Sequence, residues 1–134
     1  MDLKLKSKIA LITGASKGIG AGIAHTLASE GVKLYLTARN IKKLESLKVE
    51  LQNKYSVEIQ IIPLNLTESD SQEILYEKCK NINVLINNAG DIPSGSLFDI
   101  DEESWRKGWE LKVFGYINLC RGFYPIIKKN GGGV

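Results

Sequence analysis

Histidine occurs once and cysteine twice in this chain of 134 residues. The thiols, Cys79 and Cys120, lie far apart, with no CxxC and no cluster of histidines around them. That excludes a zinc site and a disulfide framework. Both fall in segments with helical periodicity and are expected to be buried free thiols. No apolar run approaches the length of a membrane span, and "MDLKLKSK" is too short and too charged for a secretory signal. A reducing, cytoplasmic setting with no membrane partner is the expectation. Charge of one sign is scarce as well: the formal net charge is +3, with lysines scattered among acids. Such a balance reads as a solvated surface without a nucleic-acid footprint, and supports no more than a mild attraction to anionic ligands. Repeats, linkers and low-complexity tracts are missing too, so residues 1–134 are expected to form one domain with a real core.

What is present is an alternation of short apolar runs with amphipathic stretches. "KIALIT", "VKLYLTA", "VEIQIIPLN" and "NVLINNAG" read as four strands, the last running into a turn. Between them, "KGIGAGIAHTLASEG", "NIKKLESLKVELQNKY" and "TESDSQEILYEKCKN" read as helices. Thr67 and Asp70 are the candidate cap of the third helix. A fourth helical pattern runs from about Asp101 to Lys129, preceded by Asp99 and Glu102 at capping-box-like spacing and closed by Gly131 to Gly133. Strand–helix alternation predicts an α/β fold, a doubly wound parallel sheet with helices on both faces. Right-handed crossovers then give the spatial order 3-2-1-4. Pro63, near the end of strand 3, suits an edge. The crevice where the direction reverses lies between strands 1 and 4, and its lips are "TGASKGIG" and "NNAG".

The first lip is a glycine-marked turn opening a helix. A helix N-terminus carries unpaired N–H groups and positive dipole charge, and a phosphate placed there satisfies both. Ser16 adds a hydroxyl and Lys17 a cation. A tight strand-to-helix turn that needs glycine for its own sake is the alternative. The spacing Gly14, Gly18, Gly20 is neither GxGxxG, since Ile23 stands at the sixth position, nor a P-loop, since no GK[ST] follows.

"TGASKGIG" resembles the TGxxxGxG cofactor turn of the short-chain dehydrogenase/reductase family, and "NNAG" at 87–90 resembles that family's second motif. The resemblance covers Lys8 to Val134. It implies a Rossmann fold, a nicotinamide dinucleotide, and hydride transfer between the cofactor and a small-molecule carbonyl or alcohol. Carried over residue by residue, Gly14, Ser16, Gly18, Ile19 and Gly20 match the pyrophosphate turn, and Asn88, Ala89 and Gly90 match the segment lining the ribose side. Asn65 stands where the family usually has an aspartate against adenine. Its carboxamide oxygen can still accept from the adenine amine, with the Leu66 backbone beside it. At the end of strand 2, "TARN" carries no carboxylate to repel a 2′-phosphate, while Arg39 offers a bidentate fork and Lys17 a neighbouring charge. This predicts NADP over NAD. The other reading of Arg39 is an ordinary surface arginine.

The family's reaction also needs a serine and a YxxxK pair. Tyr124 and Lys128 have the spacing but follow the "NNAG" helix without a serine-bearing strand before them, so no catalytic pair is assigned. Val134 would be the first residue of a fifth strand. The chain is therefore expected to carry the cofactor-binding half of the enzyme and to be inactive alone. A stand-alone nucleotide-binding module and a non-catalytic truncated product are the alternatives. Lys112 occupies the position of the family's helix asparagine, either as a variant relay group or as a lysine facing solvent. His25 reads as a surface residue. Trp105 and Trp109, at i and i+4, read as a packing or subunit-contact stripe. The matching helix in family oligomers is an interface, which implies a homo-oligomer.

Overall fold

The computed structural model describes residues 3–134. Four strands, β1 (Ile9–Thr13), β2 (Lys33–Ala38), β3 (Ile59–Pro63) and β4 (Val84–Ile86), form one parallel sheet in the order β3-β2-β1-β4. The expected 3-2-1-4 order is the observed one. β1 sits between β2 and β4, with Leu11 opposite Tyr35 on one side and Leu85 on the other. Pro63 pairs with Ala38 as the last residue of β3, on the sheet's outer strand.

Successive residues of a strand point to opposite faces, and both faces here are covered. Ala10, Ile12, Leu34, Leu36 and Ile59 share a core with Ala24 and Leu27 of α1 (Gly18–Ser29) and Leu44, Leu47 and Leu51 of α2 (Ile41–Tyr55). Leu11, Tyr35 and Ile62 share the other with Leu75 of α3 (Ser71–Lys78), Ile82, and Leu119 and Phe123 of the C-terminal helix. Burial on two faces explains why these strands read as unbroken apolar runs.

The fourth helical pattern is one rod in three parts: α4 (Glu102–Trp109), a π-helical turn (Glu110–Gly115) and α5 (Tyr116–Lys129). The periodicity predicts the rod but not the π turn, where i→i+5 bonds widen the helix locally. The caps differ from expectation. Asp101, not Asp99, caps α4: its Oδ1 accepts the Ser104 N–H at 2.8 Å, and the bonds from Ser104 hold its carboxyl below the usual carboxylate range. Asp99 instead accepts from the Ser96 hydroxyl at 2.6 Å. Asp70 precedes α3 without a side-chain bond to it, and Thr67 is engaged by Asn65. Cys79 is buried as expected, but Cys120 is exposed, because α5 turns it away from the Leu119–Phe123 face. His25 packs against α2, 3.2 Å from Glu50 and edge-on to Tyr55.

Val134 lies along the outer edge of β4. Its N–H donates to the Asn83 carbonyl at 3.0 Å, and its carbonyl accepts the Leu85 N–H at 2.8 Å. The outer edge of β4 is thus covered at its start, and the side chains of Val84, Leu85 and Ile86 are half-buried. Among the described residues, no helix is long and apolar enough to cross a membrane.

Candidate functional site

The C-terminal ends of β1 and β4 are tied together by one hydroxyl. Thr13, fully buried at the end of β1, donates its Oγ1 hydrogen to the Ile86 carbonyl at 3.2 Å. The same oxygen accepts the N–H groups of Asn88 and Ala89, each at 3.0 Å. Asn88 answers from the other lip: its carboxamide donates to the carbonyls of Thr13 (3.0 Å) and Gly14 (3.1 Å). Thr13 was not singled out from the sequence. The only signal for it is its place directly before Gly14, at the exit of a strand.

This lacing explains two of the glycines. Gly14 has φ +65°, and a Cβ there would lie 2.9 Å from both Ala89 Cα and Asn88 Nδ2. A Cβ on Gly20 would meet the Gly14 carbonyl oxygen and stand 2.6 Å from Asn88 Nδ2. Both glycines therefore make room for the close approach of the second lip. The motif's remaining glycine, Gly18, has open space beside it.

The close approach leaves the N-terminus of α1 facing a cleft of about 1070 Å³. Asn40 caps α2, accepting the Lys43 N–H at 3.0 Å, and Asp101 caps α4. α3 has Glu73 in its first turn. The start of α1, by contrast, has neither a side-chain cap nor an acid in its first turn. Its first N–H groups and dipole are left for an anion.

The cleft walls hold Gly14, Ser16, Lys17, Gly18 and Ile19 from the first lip and Asn88, Ala89 and Gly90 from the second. Arg39 comes from the end of β2, and Asn65 and Leu66 from the segment after β3. Of the expected cofactor residues only Gly20 is not in the lining; it lies buried beneath the turn. Lys112 is not in the lining either. The π turn lays its stem on Gly90, with Cδ 3.2 Å from where a Cβ would be, and its ammonium donates to the Tyr116 hydroxyl at 2.8 Å. It is exposed to solvent, as one of the two readings had it, and outside the cleft.

Three charged residues that the sequence did not single out also line the cleft: Lys43 on α2, Lys107 on α4 and Asp91 after the second lip. The lining therefore holds four cations, Lys17, Arg39, Lys43 and Lys107, against one carboxylate. That carboxylate corrects the expectation for the corner at Arg39. Asp91 reaches over from the far lip, with Oδ2 3.3 Å from Arg39 Nη1. Asn65 needs a correction too. Its Oδ1 already accepts the N–H (3.2 Å) and hydroxyl (2.9 Å) of Thr67, so its NH₂ group is the part available to a ligand. Tyr124 is 68% exposed and outside the lining, and no tyrosine is found among the lining residues. No group of three or more potential metal ligands occurs among the described residues.

Known proteins have similar sequences and share this fold. The family model described as short chain dehydrogenase matches residues 8–134. The chain is 31% identical to dehydrogenase/reductase SDR family member 4 of Caenorhabditis elegans, over 97% of this chain and 52% of that protein. It superposes on L-sorbose reductase from Gluconobacter frateurii, complexed with NADPH and L-sorbose, with a TM-score of 0.89 at 31% identity, covering 99% of this chain and 52% of that one. An alcohol dehydrogenase from the archaeon Thermococcus sibiricus, complexed with 5-hydroxy-NADP, gives 0.84 at 31% identity, covering 95% and 56%. The chain spans about half the length of the curated relatives it matches. With the family model spanning residues 8–134 and the fold shared with these enzymes, the chain belongs to the short-chain dehydrogenase family of oxidoreductases.

Proposed function

We propose that this chain binds NADP in the cleft between its two lips and is the cofactor-holding part of a reductase that acts on a small carbonyl or alcohol. One observation carries the reading: an uncapped, acid-free helix N-terminus opens into a cleft lined by four cations and a single carboxylate. A dinucleotide pyrophosphate matches the helix N-terminus, and a further 2′-phosphate matches the surplus positive charge. The NADPH and 5-hydroxy-NADP bound to the similar enzymes support the same choice.

In this reading the N–H groups of Gly18, Ile19 and Gly20 hold the pyrophosphate, with Ser16 and Lys17 beside it. Arg39 takes the 2′-phosphate, and Lys43, one helical turn on, adds its field. The NH₂ of Asn65 donates to a ring nitrogen of adenine. Bound nicotinamide supplies the hydride exchanged with the substrate carbon. With no tyrosine in the lining, the 134 residues hold cofactor without reducing carbonyls. The half-exposed Trp109, Phe114 and Ile117 on the long rod support self-association of the protein.

Calorimetric titration of the chain with NADPH and NADH tests this. A charge-assisted hydrogen bond contributes about 1.5–3 kcal/mol, or about one to two decades in affinity. NADPH should bind tighter by that margin, and Arg39→Ala should remove most of the difference. Preference for NADH, or equal weakening of both by Arg39→Ala, would overturn the assignment. NADPH consumption with a panel of ketones should stay at background.

A further inference from the structure

Arg39 and Asp91 belong to different lips of the cleft. Arg39 follows β2 and Asp91 follows the turn after β4, and these strands flank β1 on opposite sides. The contact between them, 3.3 Å from Nη1 to Oδ2, therefore crosses above the end of β1, over the glycine turn. Two neighbouring strand spacings separate β2 from β4, roughly 10 Å, and the long arginine stem covers most of that gap. The other three lining cations, Lys17, Lys43 and Lys107, have no carboxylate within ion-pair distance among the described residues. The one acid of the cleft is thus placed on the cation assigned above to the 2′-phosphate.

We propose that Asp91 is a specificity-determining residue that works against the 2′-phosphate. It holds Arg39 across the mouth of the cleft, and a ligand must exchange phosphate for carboxylate to take the guanidinium. A phosphate makes that exchange, because it offers the fork more negative charge and more oxygen acceptors than a carboxylate. A cofactor with only ribose hydroxyls at this point has nothing to displace the carboxylate with, so Arg39 stays on Asp91. Asp91 consequently lowers affinity for the phosphorylated cofactor and leaves the other nearly untouched. The selectivity of the chain is narrower than its cations alone would set. This rests on the proposed assignment of Arg39 to a 2′-phosphate.

The pair is well exposed, with 70% and 66% of the side chains accessible, so the tether itself is weak. Removing it also removes like-charge repulsion on the entering phosphate. Together these give about a three- to tenfold gain for a 2′-phosphorylated ligand. The test compares the wild-type chain with Asp91→Asn, an isosteric change at an exposed position. Each is titrated with NADPH, NADH, adenosine 2′,5′-bisphosphate and adenosine 5′-monophosphate. Asp91→Asn should tighten NADPH and the bisphosphate by that factor and leave NADH and the monophosphate unchanged. On an Arg39→Ala background the gain should shrink to the part left by relieved repulsion, whereas a general change in the cleft's field would leave it undiminished. Unchanged or weaker NADPH binding, or an equal gain for all four ligands, would overturn the role of Asp91 while leaving the cofactor assignment intact. Wild-type chain that binds neither NADPH nor the bisphosphate would overturn both.

Discussion

Two glycines of α1, two residues apart, should respond to the same substitution with opposite signs. At Gly20 an added methyl meets the Gly14 carbonyl and comes within 2.6 Å of the Asn88 amide nitrogen. These are the two groups that close the lacing bond between the lips, 3.1 Å apart. Neither is a flexible chain end: one is backbone, and the other is held by a second bond to the Thr13 carbonyl. Overpacking of this kind costs about 1–3 kcal/mol, and loss of the bond about 1 kcal/mol more. Alanine in place of helical glycine returns about 1 kcal/mol, so Gly20→Ala should destabilise by about 1–3 kcal/mol. Gly22 has nothing within 4 Å of its missing side chain and no positive φ. There only the helix term acts, and Gly22→Ala should stabilise by about 0.5–1 kcal/mol. At roughly 4 °C for each kcal/mol in a domain of this size, the two variants should melt about 6–16 °C apart. Thermal unfolding followed by circular dichroism reads this directly. The displaced second lip should also weaken NADPH binding in Gly20→Ala and not in Gly22→Ala. Melting temperatures within about 2 °C of each other would refute the idea that Gly20 is there for the close approach of the lips.

Two further outcomes follow from the same geometry. Thr13→Val keeps the shape and removes the hydroxyl, leaving the Asn88 and Ala89 N–H groups without the acceptor they share. Urea unfolding should show a loss of about 2–4 kcal/mol with an unchanged m-value, and Thr13→Ser should recover most of it; a Val variant as stable as wild type would show that water or movement replaces the hydroxyl. Of the two thiols, burial pushes Cys79 up to about 12 while Cys120 is exposed. Thiolate is the reactive form, so one thiol should react with an aromatic disulfide reagent at pH 8 in native protein and both in denaturant. Rapid labelling of Cys79 without denaturant would mean that the α3–α5 side of the sheet opens far more readily than its packing implies.

Which parts of this molecule a sequence exposes depends on how local their causes are. The strand order is legible because alternation, right-handed crossover and two-sided burial each act within one strand–helix–strand unit. The glycine turn is legible because its backbone demands fall on adjacent residues. What glycine was needed for is less legible. The sequence suggests space for a phosphate, whereas at Gly14 and Gly20 the space is taken by Ala89 and Asn88, some seventy residues on. The caps failed for a related reason. Asp99 and Asp101 both have the chemistry of a cap, and the choice depends on where the preceding loop delivers the chain, with Ser96 claiming Asp99 first.

The charges of the cleft show the same division. Arg39 and Lys17 could be picked out because they sit inside the motifs. Lys43 and Lys107 sit on amphipathic helices where a lysine facing the cleft and one facing solvent have the same periodic signature. Asp91 has no local signature at all. Its effect on Arg39 arises only because β2 and β4 flank the same strand, so that residues 52 apart in sequence meet across the turn. Reading cofactor preference from the end of β2 alone counts the attraction and misses the carboxylate set against it. Under the proposed assignment the corner that chooses the cofactor is built by both lips, and the charge of the second lip has to be weighed with that of the first.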